Sequence, residues 1–404
     1  MPLPFKPASQ IEKDIFELWK ELSPTDAFAG GLEDYAGKMT IPERTHMEAL
    51  ARRIDELGTK PETKAQQRLL ASLKAYGIQL GSLGEAEITP DLAISAFFAH
   101  LIKEGVVLIH LTSLAEHVKR ALTAYAASSP GKECPSGIRI LTSIRCAGLV
   151  EVADTVKKQT KNKRLQSALD GMLAAVNDYS KRFGVAGFKN SGFDEIVEIC
   201  SREGCDLGRR DYYADALANL FDYSETPTEL EAKGLGMLNR ELADFKREVE
   251  ELAPKLGAEA TAEAVAHTIS KKKALKPARV VGYIKILKQH VSKLVNSKIV
   301  KINPRYQTRV VETPTYLSAM FPSGGAMSLN FLAKRPFQVF LATTDPRRAP
   351  ETSPAELLNL LVHEEYGHCL HSSNSAFKFG AKPTLAEMLQ SQAGNAVSEG
   401  ISFH

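Results

Sequence analysis

The sequence predicts a mainly α-helical protein with one small β-sheet late in the chain, just ahead of a histidine-bearing helix. Three observations carry that expectation. Apolar residues recur at helical spacing from Ser9 to about Val300, with almost no strand signal among them. Short β-branched or aromatic runs come only afterwards, at residues 307–311 and 338–343. A third run, Leu360-Leu361-Val362-His363-Glu364-Glu365-Tyr366-Gly367-His368-Cys369-Leu370-His371, sets histidines and carboxylates inside an apolar, helix-like stretch.

Taken in order, Ile11, Ile15, Leu18 and Leu22 form a helical stripe that Ser23-Pro24 ends. Further helices are expected over residues 47–57, 64–80, 93–127, 141–156, 164–183 and 193–202. The longest apolar region, 93–114, is broken by Lys103-Glu104, so it reads as a buried helix and not as a membrane span. Lys271-Lys272-Lys273 opens a stretch without an acidic residue until Glu312, and Ile284, Leu287, Val291 and Leu294 give its centre one apolar face. That is an amphipathic helix with a basic outer side. A solvated face is the plain reading; an electropositive wall for an acidic substrate or a peptide carboxylate is the functional one. Nucleic acid fits less well, because only Tyr283 and Tyr306 interleave the charges. Ser323-Gly324-Gly325 reads as a turn. Ser353 and Pro354 suit the N-cap and first position of the helix that leads into the histidine run. The chain therefore divides into a helical region, 1–300, and a part holding the sheet and the histidine helices, 301–404.

A chain of 404 residues, 44% apolar and 25% charged, is ordinary for a soluble globular protein with a large core. A net charge of +3 is too small to imply nucleic acid. Cys134, Cys146, Cys200, Cys205 and Cys369 are few, odd in number and scattered, so reduced thiols and a cytoplasmic location are expected. The opening, Met1-Pro2-Leu3-Pro4-Phe5-Lys6-Pro7, lacks the apolar core of a signal peptide.

Histidine is the usual ligand of a catalytic zinc, and a glutamate beside the first histidine is the usual base. His363 and His368 are the expected zinc ligands and Glu364 the expected base. Their i, i+5 spacing is unusual: on a regular α-helix five steps place the rings about 140° apart. One extra residue taken up as a π-bulge would bring them together, with Gly367 the easiest place to distort. The bland alternative is a surface helix carrying histidines by chance. A third ligand is needed, and two carboxylates are candidates: Glu399, in Ser398-Glu399-Gly400, and Glu387, in Leu385-Ala386-Glu387-Met388. His371 could reach the site or bond a backbone carbonyl; Tyr366 could face the cleft or pack.

The segment Ser23-Pro24-Thr25-Asp26-Ala27-Phe28-Ala29-Gly30-Gly31-Leu32-Glu33-Asp34-Tyr35-Ala36-Gly37 resembles the opening of a bacterial family of zinc-peptidase-like proteins, the domain-of-unknown-function 885 family. Thr226-Pro227-Thr228-Glu229-Leu230-Glu231-Ala232-Lys233-Gly234-Leu235 is similar to its middle segment. Glu312-Thr313-Pro314, and then Phe337-Gln338-Val339-Phe340-Leu341-Ala342-Thr343-Thr344-Asp345-Pro346, resembles its approach to the metal helix. Tyr366-Gly367 departs from that family's Pro-Gly; the His-Glu-x-x-Gly-His spacing resembles dipeptidyl peptidase III. The resemblance implies a gluzincin architecture, a zinc ion, a peptide substrate and Glu399 of the Glu-Gly pair as third ligand. It also implies that Gln338, Val339, Phe340, Leu341, Ala342 and Thr343 form an edge strand that holds the substrate backbone. Members of the family continue past the position of Ile401-Ser402-Phe403-His404, so a truncated chain is expected, lacking the oxyanion-stabilising group. The leading expectation is a zinc metallopeptidase. The alternative is an inactive helical scaffold that binds peptide or metal.

Overall fold

The computed structural model describes residues 6–81, 85–128, 134–207, 213–214, 217–218, 223–273, 275–303, 305–318, 321–333, 336–346, 352–377, 383–393 and 399. Ser9 caps the first helix, α1 (Gln10–Leu22), its Oγ accepting the Glu12 N–H at 3.3 Å. The stripe of Ile11, Ile15, Leu18 and Leu22 is buried, as its spacing predicts. Pro24 then starts a second helix at once, α2 (Pro24–Ala29). α3 (Arg44–Leu57) and α4 (Lys64–Gly81) pack against α1 and close a core of Leu18, Leu22, Leu50, Ile54, Leu69 and Leu73.

Residues 93–127, expected as one helix, are two: α5 (Ile88–Lys103) and α6 (Leu108–Ser128). Gly105, at φ +68°, adopts left-handed backbone and turns the chain between them. Apolar residues run over this break, although Leu108 and Ile109, which open α6, are exposed. α7 (Ser136–Gln159) and α8 (Lys163–Phe183) complete a bundle whose core includes Phe97, Leu111, Leu122, Leu149, Leu169 and Met172. α9 (Phe193–Glu203) follows. Cys200 and Cys205 are joined in a disulfide, with Cα atoms 5.3 Å apart, which corrects the expectation of five reduced thiols and removes that support for a cytoplasmic location. Three more helices complete the run: α10 (Pro227–Leu256), α11 (Ala262–Lys273) and α12 (Pro277–Lys298). Among the described residues, no helix is long and apolar enough to cross a membrane.

The protein is thus mainly helical with one small sheet. The sheet has three strands, β1 (Thr308–Glu312), β2 (Gly324–Leu329) and β3 (Phe337–Ala342), in the order β1-β3-β2. β3 runs parallel to β1, with Val310 opposite Phe340, and antiparallel to β2, with Ala326 opposite Phe340. Gly324 and Gly325 begin β2 and are not the expected turn. A Cβ on Gly324 would sit 2.6 Å from the Leu341 carbonyl oxygen, and one on Gly325 2.4 Å from the Phe321 ring, so close packing of the strand requires both glycines. Val339 and Leu341 point into the core of α5–α8, while Phe340 joins Val280 and Ile284 of α12 on the other face.

This topology corrects the edge-strand expectation for residues 338–343. β3 is the middle strand, paired on both sides, so its backbone groups are already spent and cannot hold a substrate. Val339, Phe340, Leu341 and Ala342 are fully buried, and Thr343, just past the strand, is hydrogen-bonded to Thr313 and Phe321.

Candidate metal centre

Ser353 and Glu356 form a capping box that starts α13 (Pro354–Leu361). The helix then widens into a π segment, Val362–Cys369, and tightens again into α14 (Leu370–Phe377). The wider turn has the effect that the i, i+5 spacing demands. The Nε2 atoms of His363 and His368 lie 3.1 Å apart, with the rings at 84° to each other. Glu399 completes the set, its two oxygens 3.5 Å from His363 Nε2 and 3.4 Å from His368 Nε2. Ligands about 2.0–2.1 Å from a tetrahedral zinc stand roughly 3.3 Å from one another. The three residues fit that ion in number, type and separation.

Glu364 is buried, and its potential ligand atom lies within 4.8 Å of those of the two histidines. Burial, and then the nearby Glu399 charge, push its carboxyl up to about 7. Burial holds His368 below its ordinary value, with Glu399 opposing; the neutral ring is the form that ligates. His371 lines the same cleft and is also lowered by burial.

Glu387 is placed elsewhere. It lies in the first turn of α15 (Leu385–Ala393), where its Oε2 accepts the Thr384 N–H at 2.8 Å and its own N–H bonds Thr384 Oγ1 at 3.2 Å. The carboxylate caps a helix and is not part of the histidine–Glu399 set. Ser398 and Gly400 lie outside the described residues. Tyr366 packs against α12, its hydroxyl donating to the Lys288 carbonyl at 3.4 Å, and does not line the cleft.

A second acidic residue in the motif, Glu365, holds the π segment in place. It is fully buried, 2.7 Å from Lys288 Nζ, and accepts the Tyr306 hydroxyl at 2.6 Å. Lys288 of α12 lies one turn from Ile284 and turns toward this segment. A lysine on an otherwise apolar face was the sequence signal for this pair. Ser328 Oγ lies 2.6 Å from Ser372 Oγ and donates to Gln338 Oε1 at 2.6 Å, tying β2, β3 and α14 together.

The centre opens into a cleft of about 560 Å³. One wall is β2, an edge strand paired only with β3 among the described residues. Of residues 338–343, only Gln338 reaches the cleft. None of the described lining residues is a lysine or arginine, so the basic stretch around α12 does not form the electropositive wall considered above. Sequence reasoning gave no role to Trp19 and Asp26, which also line the cleft.

No protein-family model and no curated protein matches the chain. Two solved structures are similar to it, each described as a "putative lipoprotein". The one from Shewanella oneidensis, of unknown function, is 14% identical with a TM-score of 0.59, over 97% of this chain and 79% of that one. The one from Colwellia psychrerythraea is 13% identical with a TM-score of 0.55, over 97% and 80%. These likenesses establish a shared fold.

Proposed function

We propose that this protein is a zinc-dependent peptide hydrolase of the gluzincin type, akin to the domain-of-unknown-function 885 family. The observation that carries the reading is the convergence of His363, His368 and Glu399, with buried Glu364 alongside. A zinc held by those three would polarise the scissile carbonyl and acidify the attacking water. Glu364 takes the proton from that water on a carboxylate oxygen and returns it to the leaving amine. The free edge of β2 offers unpaired N–H and C=O groups to an extended substrate, the task first expected of β3.

Elemental analysis of wild type and Glu364→Gln, together with mass-spectrometric cleavage of a mixed peptide library, tests this. The expected result is one zinc per chain in both proteins and cleavage by wild type alone. Zinc without cleavage would favour the scaffold reading, and absence of zinc would remove both.

A further inference from the structure

The cleft that holds the histidines is also lined by Trp19, Asp26 and Phe331. After β2 the chain docks on α2: Asn330 N–H donates to the Ala29 carbonyl at 2.6 Å and Leu332 N–H to that of Gly30 at 2.9 Å. That docking sets Phe331 beside Trp19, centroids 6.4 Å apart and rings at 70°. Both rings line the cleft with Asp26. Asp26 is exposed and lines the cleft. Among the described residues no hydrogen-bond donor and no cation meets its carboxylate, and the cleft lining holds no lysine or arginine. Desolvation raises its pKa to about 6. Its neighbour Tyr76 is raised as well, so that phenol brings no charge to the site.

A carboxylate that meets no counter-charge among the described residues shares this cleft with two aromatic rings, and a cation would complete the set. Ring faces attract ammonium and guanidinium groups, and a charge-assisted hydrogen bond to a carboxylate adds to that. We propose that Asp26, Trp19 and Phe331 form a subsite for a positively charged group of the substrate. The inference rests on the peptidase reading and narrows its substrate class to peptides with a cation at this subsite. Two sources share the chemistry: a free α-amine, and a lysine or arginine side chain.

Trp19 is the only tryptophan in the chain, so its fluorescence reports directly on this subsite whether or not turnover occurs. The full chain, zinc-loaded and carrying Glu364→Gln, is titrated with short peptides of four kinds. These are N-acetylated with lysine or arginine, N-acetylated with norleucine or citrulline, free-amine neutral, and fully neutral. Cationic peptides should shift Trp19 emission and bind about tenfold or more tighter than neutral isosteres. Asp26→Asn, which keeps the shape of the side chain, should abolish the difference. If acetylated basic peptides gain, the side chain is the source; if free-amine peptides gain, the α-amine is. Equal affinity of charged and neutral peptides for the Asp26-containing protein, or no peptide binding at all, overturns the subsite. Wild-type protein that cleaves peptides without regard to charge defeats the subsite alone. Charge-selective binding without cleavage by wild type leaves the subsite standing and defeats the hydrolase.

Discussion

Lys288→Met should expose how much the metal helix depends on its buried anchor. Glu365 is fully buried, and among the described residues its Oε1 meets Lys288 Nζ, at 2.7 Å, and the Tyr306 hydroxyl, at 2.6 Å. Removing the ammonium leaves a buried carboxylate with one neutral donor. Breaking such a pair costs about 3–5 kcal/mol. Lys288 is a quarter exposed and Tyr306 remains, so the lower end, about 3 kcal/mol, applies. At a specific unfolding entropy of about 2.1 cal/mol/K per residue, that lowers the melting temperature by roughly 3–4 °C. Zinc affinity should fall too, because Glu365 lies between Glu364 and the second ligand and pins the widened turn. Thermal unfolding of the metal-free protein and zinc titration of Lys288→Met, Glu365→Gln and the double variant measure both effects. The double variant should recover much of the loss, since neither charge is then stranded. Single losses that simply add, or a Lys288→Met protein as stable and as tight for zinc as wild type, would refute the anchor.

His363→Ala, His368→Ala and Glu399→Ala should each lose zinc, measured by elemental analysis after dialysis, whereas Glu387→Ala should keep it and lose only helix-cap stability, about 1 kcal/mol. Glu364→Gln should retain zinc and slow peptide cleavage by about 10²–10⁴-fold in single-turnover assays. Asp26 titrates near 6 in the folded chain against an ordinary 3.8, so its contribution to stability is complete below about 4 and is lost as pH rises through about 6. Asp26→Asn should therefore raise the melting temperature above pH 6 and change it little below pH 4.

Most helices named from the sequence were legible because they bury a stripe, and a stripe has a period; α10, with Leu235, Leu238, Leu242 and Phe245 exposed, was not among them. That same logic fused α5 with α6, since a single left-handed Gly105 leaves no trace in apolar spacing. The π segment could be anticipated from an angle alone, as two ligands about 140° apart cannot share an ion. Strand order could not: pairing across a sheet depends on partners distant in sequence, so β3 read as an edge and the Gly-Gly start of β2 as a turn. The Glu-Gly pair favours Glu399 over Glu387 in the sequence itself, and the structure places Glu399 3.4–3.5 Å from both histidines. Glu365 with Lys288, and Asp26 with Trp19 and Phe331, join residues from separate stretches and carry no local motif. Cys200 and Cys205 were read as two thiols because no local rule joins them.

One contact links the ends of the described chain. Glu12, buried in α1, accepts the Ala386 N–H at 2.8 Å across 374 residues, and Leu385, Ala386, Met388 and Leu389 of α15 fill the core of α1, α3 and α4. On a ribosome, α1 emerges well before its cover, α15. At about 5–20 residues per second, roughly 20–80 s separate the two. For that interval the Ile15, Leu18 and Leu22 stripe lacks its lid and is open to association with other chains. Glu399 follows α15, so this proposed ligand is made after the cover of α1. Zinc binding by all three side chains therefore requires a chain already synthesised past Glu399, and zinc supplied earlier cannot rescue a chain that has lost α1 to aggregation.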